Sequence, residues 1–398
     1  MTVLDHRNDP AAAVPGWRPG ATAPRTDPAP LLPDAEPLRV LGTPAADAAD
    51  PALLRELYRR LVAGRRYNQQ ATTLTKQGRL AVYPASTGQE ACQVAAALAL
   101  RPQDWLFPSY RDTLAVVARG VDPLQALTLL RGDAHTGYDP RATRTAPLCT
   151  PLATQVPHAV GLAHAARLAG DDTVALALLG DGGTSEGDFH EGLNFAAVLH
   201  APVVFLVQNN GYAISVPLTR QSAAPTLAHK AVGYGMPGRL VDGNDALAVH
   251  AVLTEAVERA RAGGGPTLVE ALTYRIEAHT NADDATRYRQ PEEVAAWQRH
   301  DPVRLLEDAL RGRGLLDEEL VADAAERAER LAARMRAEFH TDPELDPMSL
   351  FAHVYAEPTQ QLREQAAQLA AELAAEAEAG SGIGAGSGTG TGNGVHGR

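Results

Sequence analysis

The chain has 398 residues, of which 45% are hydrophobic, and a formal net charge of -12 at pH 7. A chain of this length can bury one large core or two smaller ones, which predicts a soluble globular protein of one to three domains. Charged or polar residues interrupt every apolar stretch before it reaches the roughly 18 residues of a membrane-spanning helix. The acidic balance argues against nucleic acid as a partner, because phosphate-binding surfaces are normally basic.

The cysteines and the N-terminus indicate the compartment. Cys92 and Cys149 are the two cysteines, too few for a disulfide framework and without the paired spacing of a zinc site. The opening residues contain Asp5 and Asp9 and lack an apolar segment, unlike a secretory signal or a transit peptide. Nearly all basic residues are arginine and alanine is abundant, which favours a bacterial origin. We therefore expect a cytoplasmic bacterial protein.

The composition of the two chain ends differs from that of the central region. Residues 1–50 are rich in Pro, Ala and Asp without a hydrophobic period, so we expect a disordered arm. The Gly/Ser-rich segment 380–398 predicts a flexible tail. Between them we expect one domain over 51–360, with a helical extension from about residue 291, and then a helical end over 361–379.

The elements of the body follow from its hydrophobic pattern. A helix is predicted over 51–66, where apolar residues share one face: Leu53, Leu54, Leu57, Leu61 and Val62. Apolar runs at 173–180, 201–210 and 266–276 then alternate with helical stretches, which is typical of βαβ units. The predicted fold class is therefore α/β, with a doubly wound parallel sheet covered on both faces and a helical C-terminal region.

Two polar, glycine-flanked segments follow predicted strands, GDGG at 180–183 and QNNGY at 208–212. Ligands of open parallel sheets bind outside the carboxyl ends of the strands. The glycines allow a phosphate to approach the backbone, and the following helix offers free N–H groups. The Asp181 carboxylate, an amide oxygen and a turn carbonyl suit Mg²⁺, which takes its remaining ligands from phosphate and water.

Other interpretations of these segments remain open at this point. Either motif alone is about as often a plain turn as a binding site, and only the combination is specific. A dinucleotide fingerprint starting at Gly180 fails, because Ser185 stands where the third glycine is required.

GDG followed by two asparagines 28 and 29 residues after the aspartate matches the thiamine diphosphate signature. The longer run GDGGTSEGDFHEGLNFAAVLHAPVVFLVQNNGYAIS resembles the α subunit of the E1 component of branched-chain 2-oxoacid and pyruvate dehydrogenase complexes, over roughly residues 50 to 360. The resemblance implies the thiamine diphosphate-binding fold of the diphosphate-binding type. It implies that Mg²⁺ is held by Asp181, by the Asn210 side chain and by the backbone carbonyl of Tyr212. It also places three glycines in the cofactor site: Gly180, Gly182 and Gly183.

Two further segments resemble the same family. QGRLAVYPASTGQEA with PSYRD implies that Tyr110 and Arg111 bind the diphosphate, where arginine supplies charge-assisted bonds. CTPLATQVP implies that Leu152 lines the cofactor pocket. Some relatives bind a monovalent cation on this segment, which here would lie near three residues: Pro151, Thr154 and Gln155. Cys149 stands where relatives often carry serine, so a K⁺ site is left unassigned.

The segment TYRIEAHTNADDATRYRQ resembles the family's loop at the reacting carbon. By that resemblance His279 assists acyl transfer, and we expect an imidazole with a pKa near neutral. Arg275 belongs to the cofactor site and Arg289 is a candidate contact for an incoming lipoyl domain. Thr280 stands where mammalian relatives carry a phosphorylated serine, and we do not infer that regulation here.

The resemblance implies thiamine diphosphate- and Mg²⁺-dependent oxidative decarboxylation of a 2-oxoacid and acyl transfer to the lipoyl domain of an E2 acyltransferase. The glutamate that activates the thiamine comes from the β subunit in this family, so we expect an α₂β₂ assembly. NNGYAIS and AHTNADD favour a branched-chain 2-oxoacid, while pyruvate dehydrogenase and acetoin dehydrogenase share the motifs. A nucleotide-binding regulator and an inactive scaffold are the alternatives from other classes.

Overall fold

A computed structural model of the protein describes residues 27–133, 135–339 and 346–384. The chain divides into two compact units, Met1–His340 and Thr341–Arg398. Within the described ranges, no helix combines the length and the apolar character needed to cross a membrane.

The first unit is built on a parallel sheet. The strands of the unit, in chain order, are β1 (Trp105–Phe107), β2 (Ala175–Gly180), β3 (Val203–Asn209), β4 (Tyr212–Ala213), β5 (Val216–Pro217), β6 (Gly238–Asp242) and β7 (Thr267–Leu272). Five of them form one sheet in the order β1-β2-β3-β7-β6, and every neighbouring pair is parallel. The two remaining strands, β4 and β5, form a short antiparallel hairpin directly after β3. All carboxyl ends of the five-stranded sheet therefore lie along one edge.

The described helices are numbered here in chain order. They are α1 (Pro44–Asp47), α2 (Pro51–Lys76), α3 (Glu90–Leu98), α4 (Thr113–Ala118), α5 (Pro123–Arg131), α6 (Pro140–Thr143), α7 (Gln155–Ala169), α8 (Gly187–Val198), α9 (Ala246–Arg259), α10 (Pro291–Arg299), α11 (Pro302–Gly312), α12 (Glu318–Glu338) and α13 (Gln360–Gly384). The helix predicted over 51–66 is present as α2 and continues to Lys76, with Asp50 accepting a hydrogen bond from Ala52 at its start.

Helices cover both faces of the sheet. Alternate strand residues point to opposite faces, and those on one face, such as Leu176 and Val204, pack in one cluster with α3 and α9. Their neighbours Ala177 and Phe205 pack on the other face in a cluster with α7 and α8. Every residue of β3 is buried, which is why its first five residues are apolar without alternation. The predicted α/β class with a covered parallel sheet is confirmed.

The N-terminal segment packs on the outer edge of the sheet. Leu38 forms a parallel bridge with Val241 of β6. The amides of Val40 and Leu41 both donate to the buried Asp245 carboxylate at 2.7 Å. Backbone pairing of this kind leaves no trace in composition, so the hydrophobic pattern could not predict it.

The ends of the chain therefore differ from the prediction. The disordered arm was expected over 1–50, yet residues 27–50 contain the paired segment and α1, and residues 1–26 lie outside the described residues. In the second unit, α13 continues to Gly384, so the flexible tail expected over 380–398 begins as helix. Its remainder, 385–398, lies outside the described part of the chain.

Candidate active site

A cleft lies where the parallel strands end. It encloses about 670 Å³, a volume that includes its open mouth. Every residue that the sequence assigned to the cofactor, the metal or catalysis lines this cleft: Tyr110, Arg111, Leu152, Gly180, Asp181, Gly182, Gly183, Asn210, Tyr212, Arg275 and His279. The common edge of the parallel strands explains how segments distant in sequence meet here.

Asp181 is a buried carboxylate at the end of β2. It begins the 3-10 turn Asp181–Ser185, and its side chain is only 1% exposed. Burial raises its pKa, while hydrogen bonds, first that from Gln221 Nε2 at 2.7 Å, favour the ionised form. The backbone amide of Asn210 also contacts this carboxylate. The two predicted metal ligands therefore lie side by side at the ends of adjacent strands.

The glycines of the turn have no room for side chains. A Cβ on Gly183 would lie 2.9 Å from the carbonyl oxygen of Leu152, and a Cβ on Gly182 would lie 2.7 Å from the Cβ of Ala213. Both distances are shorter than a Cβ tolerates, so glycine is required by close packing. The result is a stretch of bare backbone followed by the start of α8, an arrangement suited to an anion.

The asparagine turn after β3 is fixed by side-chain amides. Asn209 turns inward and donates to the buried Glu270 at 2.7 Å. Asn210 donates through Nδ2 to Gln89 at 3.1 Å, and its Oδ1 accepts the amide of Tyr212 at 3.2 Å. The Asn210 amide therefore has a defined orientation, with its nitrogen committed to Gln89.

The donor set at this edge fits a hard cation bound with a phosphate ligand. No cluster of three or more His, Cys, Asp or Glu side chains able to hold a metal occurs among the residues that the structure describes. One carboxylate, Asp181, stands beside the Asn210 amide and the Tyr212 backbone. Such a set leaves most positions of an octahedral ion to other oxygens, as Mg²⁺ sites with diphosphates do.

Two buried guanidinium groups meet at His279. Arg111 and Arg275 approach its Nδ1 to 3.0 and 3.3 Å. Their other hydrogen bonds go to backbone carbonyls and to the hydroxyl of Tyr288, and none goes to a carboxylate within the described ranges. Burial, and then the charge of Arg111, lowers the pKa of Arg275. Buried like charges without an anion are unfavourable, and a diphosphate would neutralise them.

His279 is uncharged in this setting. Burial, and then the charges of Arg111 and Arg275, lowers its pKa to about 4, although Asp283 acts in the opposite direction. The expected near-neutral pKa is therefore wrong, because the sequence did not show that both arginines face the ring. Since Nδ1 lies against groups that only donate, it accepts, and the ring proton lies on Nε2.

The family described as "Dehydrogenase E1 component" matches residues 58–347. The 3-methyl-2-oxobutanoate dehydrogenase subunit alpha of Mycobacterium tuberculosis is 47% identical over 334 residues, which cover 82% of this chain and 91% of that protein. The pyruvate dehydrogenase E1 component subunit alpha of Staphylococcus aureus is 42% identical over 283 residues, which cover 71% of this chain and 76% of that protein.

The chain belongs to the dehydrogenase E1 component family. It is an oxidoreductase of the 2-oxoacid dehydrogenase type, as the sequence predicted, and the family implies dependence on thiamine diphosphate. Both relatives are alpha subunits, which implies that this E1 chain functions with partner chains.

Several cleft residues of the E1 chain were not predicted as functional. They are Gln89, Ser109, Asp112, Gln208, Ala213 and Ile214. Gln208 stands in the QNNGY segment at the end of a predicted strand, which was an available signal. Asp112 stands in the PSYRD segment, but the strand before it was not predicted. Ile214 adopts a φ of 56°, rare for a β-branched residue, and its carbonyl accepts from Arg275. No feature of the sequence indicates that conformation.

One other expectation meets different contacts. Arg289 is buried and donates to the carbonyls of Arg275 and Ile276, so its guanidinium is used inside the E1 chain. We therefore do not retain it as a contact for a lipoyl domain.

Proposed function

We propose that this chain is the α subunit of a branched-chain 2-oxoacid dehydrogenase E1 component. In this proposal it binds thiamine diphosphate and Mg²⁺, acts with a β subunit in an α₂β₂ heterotetramer, and delivers the acyl group to the lipoyl domain of E2. The observation that carries the proposal is the meeting of three features in one cleft. They are the Asp181 carboxylate, the bare glycine turn, and the guanidiniums of Arg111 and Arg275, which have no carboxylate partner among the described residues.

Each part of the cofactor meets a suitable group. Mg²⁺ would be held by Asp181, the Asn210 oxygen and the Tyr212 carbonyl. The remaining cleft residues would surround the diphosphate and the rings: Tyr110, Arg111, Leu152, Gly180, Gly182, Gly183, Arg275 and His279. We assign no K⁺ ion to the segment around Thr154. The Oγ1 of Thr154 donates to Asp188 at 3.0 Å, whereas the buried Oε1 of Gln155 has no partner among the described residues.

The reaction assigns separate tasks to the two subunits. Thiamine diphosphate, when bound, supplies the carbon nucleophile that adds to the keto group of the 2-oxoacid. Arg111 and Arg275 hold the diphosphate, and neutral His279 donates from Nε2 to oxygen as negative charge develops. Asp112 and Asp181 are both engaged by hydrogen bonds inside the chain. This supports a β-subunit glutamate as the group that activates the cofactor.

Two observations support the proposal of a branched-chain 2-oxoacid as the substrate. The relative that acts on 3-methyl-2-oxobutanoate has the higher identity and the wider coverage of the two compared here. The segments NNGYAIS and AHTNADD favour the same choice. Pyruvate and acetoin remain alternatives within the enzyme class, and we place the assembly in the bacterial cytoplasm on its cysteine usage.

A panel of substrates on the reconstituted α/β pair tests this proposal. With thiamine diphosphate and Mg²⁺ present, kcat/KM should be highest for 3-methyl-2-oxobutanoate and lower for pyruvate and acetoin, measured by CO₂ release or by reduction of an artificial acceptor. Higher kcat/KM for pyruvate would reassign the substrate. Absence of turnover with every compound would support an inactive scaffold, whereas purine nucleotide binding would support a regulator.

A further inference from the structure

A row of buried polar side chains connects Asp112 to Asn210. Gln208 donates through Nε2 to Asp112 Oδ1 at 2.7 Å, and Gln89 donates through Nε2 to Gln208 Oε1 at 3.2 Å. Asn210 completes the row by donating through Nδ2 to Gln89 Oε1 at 3.1 Å. All four side chains are at most 5% exposed. We call Asp112, Gln208, Gln89 and Asn210 the amide relay.

Asp112 determines the direction in which the amide relay runs. Its Oδ2 accepts both the amide and the hydroxyl of Ser109, at 2.8 and 2.6 Å. Burial raises the pKa of Asp112, while these bonds and that from Gln208 favour its ionised form. Because the Ser109 amide and hydroxyl both donate to Oδ2 and Gln208 approaches Oδ1, we take Asp112 as a carboxylate, which can only accept. Gln208 must therefore present its NH₂ group to Asp112 and its oxygen to Gln89.

Each amide then fixes the next one. An amide has a donor end and an acceptor end, so the orientation chosen by Gln208 requires Gln89 to present NH₂ to Gln208 and oxygen to Asn210. Asn210 in turn directs its NH₂ group to Gln89. Its oxygen remains on the other side, toward the turn at Tyr212.

We propose that the amide relay is a positioning device for the metal site, in which Gln89 and Gln208 keep the oxygen of Asn210 directed to the cation. This inference rests on the proposed function, because it takes Asn210 as an Mg²⁺ ligand. An amide flipped by half a turn would present NH₂, which has no lone pair for a metal. Partners behind metal ligands typically contribute 10- to 100-fold in metal affinity.

The first test removes the contact to Asn210 without changing charge. In the α/β pair saturated with thiamine diphosphate, Gln89→Met should weaken the apparent affinity for Mg²⁺ by about 10- to 100-fold, measured by calorimetric titration. Gln93→Met is the matched control. Gln93 lies in the first turn of α3, whose N-cap is Gln89, and it is similarly buried. It donates to Asp112 and Gln208, but no hydrogen bond joins it to Asn210 within the described ranges. Its variant should retain nearly the wild-type affinity.

The second test reverses the direction of the amide relay. In Asp112→Asn, the backbone amide of Ser109 still donates, so the oxygen of the new side chain faces Ser109. The NH₂ group of the new side chain then faces Gln208. Every amide that follows must then turn over, and Asn210 presents nitrogen to the metal. We expect a loss of Mg²⁺ affinity at least as large as that of Gln89→Met.

The outcomes separate the two proposals. If the wild-type pair does not bind thiamine diphosphate with Mg²⁺, the proposed function itself fails. If the wild type binds and Gln89→Met binds Mg²⁺ equally well, or if Gln93→Met loses as much, the amide relay is overturned. A loss confined to Asp112→Asn also overturns it, since that pattern reports only the removed charge. Gln208→Met replaces Gln89→Met if the latter does not fold.

Discussion

At the scale of single residues, the chemistry depends on an imidazole placed between cations. Arg111 and Arg275 both direct N–H groups to His279 Nδ1, so the ring stays neutral at physiological pH. A neutral histidine donates one hydrogen bond from Nε2 and carries no charge of its own. It is thus suited to stabilise a developing negative charge without adding charge repulsion toward the two arginines, which we propose bind the diphosphate.

This environment predicts a pH-dependent stability. A histidine in the unfolded chain titrates near pH 6.5, whereas His279 in the folded chain titrates near 4. Between these values the unfolded chain binds more protons, so the free energy of unfolding decreases as the pH falls from about 6.5 toward 4. Because the ring is partly exposed, we expect a contribution on the order of 1–2 kcal/mol after solvent screening. His279→Asn should remove this part of the pH dependence in urea unfolding.

A second histidine provides the control for that measurement. His353 is exposed and lies in the second unit, so His353→Asn should retain the pH dependence of the wild type. Equal slopes of unfolding free energy against pH for wild type and His279→Asn would contradict the account of the arginine pair.

The residues of the cleft differ in how far sequence could predict them. Asp181 and Asn210 could be predicted as metal ligands from sequence, because each stands in a polar, glycine-flanked segment at the end of a predicted strand. Gln89 and Gln221 could not be predicted, since their roles arise from contacts with residues far away in the chain. The pKa of His279 also depends on such contacts, and the prediction of a near-neutral value was wrong for that reason.

At the scale of elements, the turn after β2 is determined by packing as much as by chemistry. Gly183→Ala would place a methyl group against the backbone oxygen of Leu152. That oxygen can move away only if the backbone that forms the cleft wall also moves. We expect a loss of about 1–3 kcal/mol in unfolding free energy from this overpacking. Thiamine diphosphate should also bind more weakly, because the turn must shift.

Gly187 offers a matched control for this substitution. It stands at the start of α8, and a Cβ there would meet no atom within 4 Å. Gly187→Ala should therefore be neutral or stabilise the protein by about 0.5–1 kcal/mol. Urea unfolding of both variants measures the contrast, and equal effects would refute the packing argument.

The N-terminal segment is a second element with a testable role. Deletion of residues 1–42 removes the amides of Val40 and Leu41 and leaves the buried Asp245 carboxylate short of two hydrogen bonds. We expect a loss of about 1–3 kcal/mol in unfolding free energy. Deletion of 1–26, which keeps both of these amides, should leave the unfolding transition unchanged. Similar transitions for both deletions would show that the pairing contributes nothing.

Elements with long apolar runs were predictable, and short ones were not. β2, β3 and β7 correspond to the apolar runs of the sequence, because strands buried on both faces are mostly apolar. β1 has three residues and β6 five, too few to generate a pattern, and they are strands because neighbours in the sheet pair with them. The pairing of Leu38 with β6 at the sheet edge could not be predicted for the same reason.

At the scale of the whole molecule, the E1 chain presents a cleft suited to the diphosphate end of a cofactor, and we propose that a second subunit supplies the rest of the site. The resemblance and the strand-end motifs predicted its location and most of its lining. Of the two carboxylates that line it, Asp112 is held by Gln208 and Ser109, and we propose Asp181 as the Mg²⁺ ligand, so neither is free to activate the cofactor. Substrate preference is a property of the assembled pocket, where a single methylene is worth only about 1–3 kcal/mol.

The most direct measurement is the affinity of the α/β pair for thiamine diphosphate, titrated by calorimetry with Mg²⁺ and with the metal chelated. We predict that the wild-type pair binds thiamine diphosphate tightly only when Mg²⁺ is present. The Asp181→Ala pair should bind it weakly with or without Mg²⁺, and its urea transition should match that of the wild type. Glu191→Ala, an exposed acid on α8, should bind like the wild type. Wild-type affinity in Asp181→Ala, or binding that ignores Mg²⁺ in the wild type, would contradict the account.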